Sequence, residues 1–244
     1  MSSDLKLVER VKQRFLAHQD RASRRLIPFN VLEVGEVANR VTEEALDFLE
    51  HRIDPGSTLG ASVRPNAICA SKVINLRNVK GEDIDFLVQI RVGKASTNDK
   101  ITRGVYDSRD NTIVIYLSPW LDANDLNETR KYDIINTNKS ILIHEVTHAL
   151  DVIDRYKTEE GAAYHNNPHE IRAFTRQIVD EASRVLKGLR LTSRAMKRPM
   201  PQGARLIEVL LEGSKTWREI KADLTDANNR YIRQVLVKEL DLVV

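Results

Sequence analysis

The spacing of hydrophobic residues divides the chain into helical and strand-like stretches. Among the first fifty residues, apolar side chains recur at helical intervals over 5–16 and again over 34–49. The polar turn at 54–57 ends the second of these predicted helices. Short apolar or alternating runs then predict strands at 67–76, 85–93 and 112–118.

The second half of the chain is predicted to be mostly helical. A polar hairpin turn at 107–111 precedes the last strand, which Pro119 closes. Helices are predicted at about 137–156 and 167–187, and helical spacing returns in the last forty residues, with Thr225 or Asp226 as N-cap. The basic stretch 189–203 contains two prolines and a glycine, which favours a linker or loop.

Composition favours a soluble globular protein. The chain has 41% hydrophobic and 30% charged residues, and its formal charge of +3 argues against a dedicated nucleic-acid binder. No apolar window of about 18 residues is present to span a membrane, and the N-terminus lacks a secretory signal, so a cytoplasmic protein is expected. The single cysteine, Cys69, excludes an internal disulfide and is expected to be buried.

Residues 140–152, SILIHEVTHALDV, carry the strongest chemical signal in the chain. His144 and His148 lie four apart on a predicted helix, so their imidazoles can bind one zinc ion. Glu145 lies about 100° around the helix, beside the metal, where it can take a proton from a zinc-bound water. This H-E-x-x-H pattern is typical of zinc metallopeptidases. The alternative is a pair of ordinary histidines, exposed to solvent or satisfied in the core.

Two histidines are not enough for a catalytic zinc site, which takes three protein ligands and leaves a fourth position to water. The metzincin extension of the motif requires a glycine and a further ligand at positions that hold Asp151 and Asp154 here. Without the glycine the helix has no reason to end, so Asp154 would point away from His148. Asp151 is expected to orient a ligand histidine, or else to be an exposed charge beside Arg155.

Glu170 is the better-placed third ligand. It lies in the first turn of the next predicted helix, and two antiparallel helices would bring its carboxylate to the face that carries His144 and His148. A structural role is the alternative, because Asn167, Pro168 and Glu170 also fit the N-cap, N1 and N3 positions of a capping box. The reserve candidates are His165, His169 and Glu181.

The segments HEVTHALD and YHNNPHEIRAF together resemble the gluzincin branch of the zincins, in which a glutamate on the next helix completes the zinc site. The region around Glu170 is similar to that of anthrax lethal factor-like peptidases, and to small H-E-x-x-H proteins of bacteriophages and bacteria. The resemblance covers about 112–187. It implies that Tyr164 stabilises the oxyanion, although its spacing to Glu170 is one residue shorter than in that family. The alternative for Tyr164 is a loop aromatic that packs on the helix.

These observations predict an α+β, zincin-like fold. Residues 1–188 would form a metallopeptidase domain with a helical N-terminal region, a small twisted sheet, an active-site helix and a ligand helix. Residues 189–203 would be a basic linker and 204–244 a helical extension. The strand at 112–118 is either an edge strand near the cleft, to which a peptide can add, or a core strand.

The expected activity is hydrolysis of a peptide bond with Zn2+ bound by His144, His148 and Glu170, and with Glu145 as general base. The expected partners are a peptide or protein substrate and, if the chain is phage-encoded, a phage or virion protein in the host cytoplasm or the virion. No membrane or nucleic-acid partner is expected. In the C-terminal helices basic residues alternate with acidic ones, which favours a solvated face over a nucleic-acid-binding or partner-binding module.

The alternative function is a non-catalytic structural or virion component that retains a zinc site. Glu145 argues against this alternative, because a structural site has no need of a base and is normally closed by four ligands.

Overall fold

The structure, a computed structural model, describes residues 29–54, 56–77, 81–93, 103–122, 126–150, 162–197 and 199–242. Its elements are α1 (Val31–Glu50), α2 (Leu59–Ser62), β1 (Ile68–Arg77), β2 (Asp83–Val92), β3 (Gly104–Asp107), β4 (Thr112–Leu117), α3 (Glu128–Leu150), α4 (Ala162–Asn166), α5 (Pro168–Met196), α6 (Gly203–Gly213), α7 (Lys215–Ile220) and α8 (Asp226–Glu239). This combination of a small sheet with many helices confirms the α+β class. The helix predicted over 5–16 lies outside the described residues.

The four strands form one mixed sheet in the order β1-β2-β4-β3. The pair β2–β4 is parallel, whereas β1–β2 and β3–β4 are antiparallel. The predicted hairpin turn joins β3 to β4, and Asn111 in this turn has a φ of 52°, which asparagine tolerates better than most residues. Because β4 is paired on both sides, the segment 112–118 is a core strand, the second of its two alternatives. The edge next to α3 belongs to β3.

One hydrophobic core lies between the sheet and the helices α1 and α3. The apolar stripe predicted for α1 is buried, and Val34, Val41 and Leu49 are inaccessible to solvent. This stripe packs with side chains of the central strands and of α3, namely Phe86, Ile90, Ile113, Ile115, Leu142 and Val146. Burial of each large aliphatic side chain contributes roughly 1.5–3 kcal/mol, so this core fixes α3, which carries the H-E-x-x-H motif, against the sheet.

The motif helix α3 starts earlier than its apolar spacing predicts. It begins at Glu128 rather than near 137, because the Asn127 side chain accepts a hydrogen bond from the Arg130 N–H at 2.9 Å and caps the first turn. Its described part ends at Leu150. The positions of Asp151 and Asp154 therefore lie outside the described residues, and their predicted roles remain predictions.

The helix α5 is much longer than predicted, since it continues from Pro168 to Met196. The prediction of a loop is therefore wrong for 189–196. Apolar spacing persists through Leu186 and Leu189, and the helix ends only at Lys197, which has a φ of 52° and donates its N–H to the Ser193 carbonyl. Pro199, two residues later, prevents further helix. The division of the chain into three parts stays a prediction.

The helices α6, α7 and α8 pack around α5 and form a second core. Ile178, Ala182 and Leu186 of α5 are buried there among apolar side chains of the three later helices, namely Leu206, Leu210, Leu211, Trp217, Ile232 and Leu236. The N-cap predicted at Thr225 is confirmed, because its side chain accepts from the Asn228 N–H. The C-terminal extension thus shares a core with α5, the helix that carries Glu170. Among the described helices, none is both long enough and apolar enough to cross a membrane.

Candidate metal centre

The structure brings His144, His148 and Glu170 together. His144 and His148 lie on α3, and Glu170 lies in the first turn of the neighbouring α5. Their ligand atoms form a small triangle. The two Nε2 atoms lie 3.0 Å apart, and each lies 3.3 Å from Oε2 of Glu170. Among the described residues, this is the one group of histidine, cysteine and acidic side chains close enough to hold a metal ion.

The triangle is small enough for its three atoms to bind one metal ion. Zinc binds nitrogen and carboxylate oxygen at about 2.0–2.2 Å, so ligand atoms at tetrahedral angles lie about 3.3–3.6 Å apart. The observed separations of 3.0 and 3.3 Å lie at or just below this range. Glu170 Oε2 is buried and makes no hydrogen bond of normal geometry with a described residue. The three atoms therefore converge on a common point, and two imidazoles with one carboxylate are a ligand set that catalytic zinc uses.

Glu170 does not close a capping box in the way that its alternative role requires. Asn167 is the N-cap of α5, and its side chain accepts from the His169 N–H at 3.0 Å. The backbone N–H of Asn167, which a capping-box glutamate would bind, donates to the Tyr164 carbonyl at 3.1 Å. The Glu170 side chain instead extends toward α3, as the third-ligand hypothesis requires.

The charge on Glu170 suits a metal ligand. Burial alone would raise the pKa of this carboxyl, but the imidazoles of His144 and His148 outweigh the effect of burial and hold the pKa well below its usual range. The carboxylate is therefore ionised at neutral pH, as metal binding requires.

Packing on α3 and α5 orients the two histidines. His144 is buried, and its ring lies 4.8 Å from the ring of Phe174, one turn beyond Glu170 on α5. The rings of His144 and His148 meet edge to face at 4.7 Å. Nδ1 of His144 is buried and has no hydrogen-bond partner within the described ranges. In many metal sites a hydrogen bond from this second nitrogen to a carbonyl or carboxylate orients the ring. Here the contact with the ring of Phe174 orients His144 instead.

Glu145 lies beside the triangle and faces the edge strand. Its carboxylate lies near the backbone N–H of Tyr106 on β3, and this N–H acts to lower the pKa of Glu145. Burial raises its pKa, while the two histidines and the Tyr106 N–H act in the opposite direction. A carboxylate held next to a metal, but outside its ligand set, is placed as a general base must be.

A glycine makes room for this carboxylate. A Cβ atom at Gly104 would lie 2.7 Å from Oε1 of Glu145 and 2.5 Å from Cγ2 of Ile141, closer than real Cβ atoms approach. The close approach of β3 to α3 at Glu145 therefore depends on the missing side chain at this position.

Tyr164 lies on the short helix α4 and is half-buried near Glu170. Burial, followed by the charge of Glu170 and hydrogen bonding to it, raises the pKa of Tyr164. The hydroxyl is therefore protonated at neutral pH and can donate a hydrogen bond. Its ring lies 6.0 Å from that of Phe174, so the tyrosine also packs on the ligand helix. Its predicted role in stabilising an oxyanion stays a prediction.

The three reserve ligand candidates have other partners. His165 Nδ1 lies 2.6 Å from Asp223 Oδ2, and His169 Nδ1 lies 2.7 Å from the guanidinium of Arg172. Glu181 is buried in the second core and accepts hydrogen bonds from the hydroxyls of Ser214 and Thr216 at 2.6 and 2.9 Å. It caps the start of α7, which is a structural role.

The C-terminal helices hold α4 beside the metal centre. The Asn166 side chain donates to the Asp223 carbonyl at 2.6 Å and accepts from the Thr225 N–H at 2.9 Å. Asn228 donates to the same Asn166 oxygen, and His165 pairs with the Asp223 side chain. These contacts join residues more than fifty positions apart, so no local sequence pattern predicts them.

Comparison of the chain with protein-family models, with curated proteins and with solved structures gave no match. The functional argument therefore rests on the geometry of the centre and on the chemistry of its residues.

Proposed function

We propose that this protein is a zinc-dependent metallopeptidase. His144, His148 and Glu170 would bind the metal, and Glu145 would be the general base. The observation that carries the proposal is the convergence of two imidazole nitrogens and one carboxylate oxygen within 3.0–3.3 Å of one another, on two neighbouring helices. The carboxylate of Glu145 supports an enzymatic role, because a structural zinc site would not need it.

A bound zinc ion would supply Lewis acidity, lowering the pKa of water and polarising the substrate carbonyl. The residues of this chain supply the other parts of the reaction. Glu145 takes a proton from the attacking water and passes it to the amide nitrogen that leaves. Tyr164, which is protonated at neutral pH, would donate a hydrogen bond to the oxygen that gains negative charge.

The edge strand β3 offers a place for an extended peptide substrate. The Arg103 carbonyl accepts from Tyr116 of β4, so the peptide groups of Arg103 point toward the sheet. Backbone groups alternate along an antiparallel strand, which directs those of Gly104 and Tyr106 toward the outer side, where Glu145 lies. A substrate that pairs with this edge would lie next to the base.

Metal analysis combined with an activity screen tests the proposal. The purified protein is expected to contain about one zinc ion per chain, and the double variant His144→Ala/His148→Ala is expected to contain none. Wild-type protein is expected to cleave members of a broad peptide library. Glu145→Gln is expected to retain zinc and lose about 10²–10⁴-fold in rate, because an amide cannot accept the proton.

Two results would contradict parts of this proposal. A full metal content in the double-histidine variant would refute the metal site. A zinc-loaded wild-type protein that cleaves no member of the library would refute the peptidase activity and favour a structural or virion component.

A further inference from the structure

The C-terminal half of α5, the loop after it and the start of α6 contain basic residues with no acidic residue among them. Residues 182–207 contain seven lysines and arginines and no aspartate or glutamate. Because the whole chain carries +3 and this segment carries +7, the remainder carries a net charge of −4. The nearly neutral total therefore conceals a strong separation of charge.

Five of these basic side chains are exposed and together are named the basic surface, namely Lys187, Arg190, Arg194, Lys197 and Arg205. None of the five forms an ion pair with a residue in the described ranges. Other exposed arginines do so, for example Arg77 with Asp83 at 3.1 Å and Arg109 with Asp107 at 2.7 Å. The charges of the basic surface are thus available to a partner.

The basic surface is laid out as a row. Lys187, Arg190 and Arg194 follow at intervals of three and four residues, which places them on one side of α5 over about 10 Å, and Lys197 is the cap residue directly after the helix. Interaction with the helix dipole explains basic residues only in the last turn. Lys187 and Arg190 lie before that turn, and Arg205 lies on the next helix, so the dipole does not account for the row.

We propose that the basic surface binds the phosphate backbone of double-stranded DNA. A duplex presents one negative charge per about 1.7 Å of its axis, which a row of cations on a rigid helix can neutralise at several points. Three of the five side chains are arginines, whose guanidinium groups bind phosphate through two parallel hydrogen bonds. Single-stranded nucleic acid is less suited, because residues 182–207 contain no aromatic side chain on which a base can stack.

An anionic membrane fits this surface less well. A helix that lies in a membrane interface needs a continuous apolar face. The apolar face of α5 is buried against α6, α7 and α8 through Ala182 and Leu186. The exposed apolar side chains at this end, Leu191 and Met196, are five residues apart and therefore point to different sides of the helix.

Salt-dependent binding of the full-length protein to a fluorescein-labelled duplex of 30 base pairs tests the proposal. The measurement is fluorescence anisotropy between 50 and 200 mM salt. The test variant is Arg190→Gln/Arg194→Gln/Lys197→Gln, which neutralises three charges and preserves helix propensity. The control is Arg40→Gln/Arg52→Gln/Arg64→Gln, which removes the same charge from exposed positions outside the basic surface.

Wild-type affinity is expected to fall steeply with salt, with a slope of about −4.5 in log K against log salt if all five side chains contact phosphate. The test variant is expected to lose about 2.7 of this slope and at least tenfold in affinity at 100 mM salt, whereas the control stays close to wild type.

Several results would overturn the proposal. They are the absence of saturable duplex binding at 50 mM salt, an equal loss in both triple variants, or equally tight binding to a single strand of the same length. Binding to phosphatidylcholine–phosphatidylserine vesicles without binding to the duplex would assign the surface to membranes instead. None of these measurements depends on the metal centre or on peptidase activity.

Discussion

The substitution Glu170→Gln separates a metal ligand from a structural residue, because glutamine keeps the size and helix propensity of glutamate but is a poor zinc ligand. Asn167 already caps α5, and its backbone N–H donates to the Tyr164 carbonyl rather than to Glu170. The metal-free variant is therefore expected to melt close to the wild-type temperature. Structural zinc sites with four protein ligands bind zinc with a free energy of about 10–16 kcal/mol, which is about 3 kcal/mol for each ligand. The loss of one ligand is therefore expected to lower the affinity for zinc at least a hundredfold.

Thermal stability converts this loss into a measurable difference. At a free zinc concentration of 100 times the wild-type Kd, the wild type gains about 2.7 kcal/mol, while a variant that binds a hundredfold more weakly gains about 0.4 kcal/mol. For a chain of this length each kcal/mol shifts Tm by about 2–4 °C, so zinc is expected to raise Tm by about 5–11 °C in the wild type and by less than about 2 °C in the variant. Calorimetry with chelator and with excess zinc gives both values.

Glu181→Gln is the matched control on the same helix. Glu181 is equally buried, but its carboxylate accepts from Ser214 and Thr216 in the second core. Its replacement is expected to cost about 1.5–3 kcal/mol of metal-free stability and to leave the gain from zinc intact. The two variants should thus show opposite patterns. A zinc-induced rise in Glu170→Gln equal to that of the wild type would refute the ligand assignment.

Three further predictions concern other positions in the fold. Gly104→Ala is expected to destabilise the fold by about 1–3 kcal/mol and to slow peptide cleavage, because the new Cβ meets Glu145 and Ile141. The control Gly188→Ala, with open space around it, should stabilise α5 by about 0.5–1 kcal/mol. Equal shifts of the melting temperature in both variants would contradict this reasoning. Asn166→Ala, which removes the hydrogen bonds of Asn166 to the C-terminal helices, is expected to slow cleavage while the zinc content stays at the wild-type level. An unchanged rate would show that these hydrogen bonds are not needed to hold α4 beside the centre. Burial raises the pKa of Cys69 to about 11, so Ellman's reagent at pH 8 is expected to label this thiol only after unfolding. The stability that the neutral thiol contributes is present below about pH 9 and is lost as the pH rises toward 11. Rapid labelling of the native protein would contradict this prediction, because it would show that the thiol is accessible.

The local parts of the centre were predictable from the sequence. The i, i+4 spacing of His144 and His148 requires only that the segment be helical, and the structure places both on α3. The position of Glu170 on its own helix was predictable as well, because Asn167 and Pro168 mark the start of the next helix and leave Glu170 in its first turn. Its approach to the histidines required the further assumption that the two helices pack side by side, which the structure bears out.

The parts that depend on tertiary pairing were not predictable. The chain order of the strands gives no sign that β4 lies between β2 and β3, so the sequence leaves both an edge strand and a core strand open for this segment. The residue type of Gly104 shows that a side chain is missing but not that Glu145 approaches this position, and Tyr106 acts through its backbone N–H, which every residue except proline has. The loop predicted over 189–196 failed for another reason. The prolines at 199 and 201 indicate a loop only near their own positions, because a proline acts on its own turn of helix and on the residue before it. They carry no information about 189–196, which is helical.

The finding that 189–196 is helix rather than loop matters for the two proposed functions. One unbroken helix of 29 residues holds Glu170 in its first turn and carries Arg194 in its last. With a rise of about 1.5 Å per residue, the two positions are separated by about 36 Å along the helix axis. The middle of the helix is fixed on one side by the Lys139–Asp180 ion pair to α3, at 3.0 Å, and on the other by the second core. A flexible linker at 189–203 would have let a bound duplex move freely relative to the metal centre. Under the two proposals made above, a rigid helix would instead hold a duplex on the basic surface at a defined distance from the metal centre.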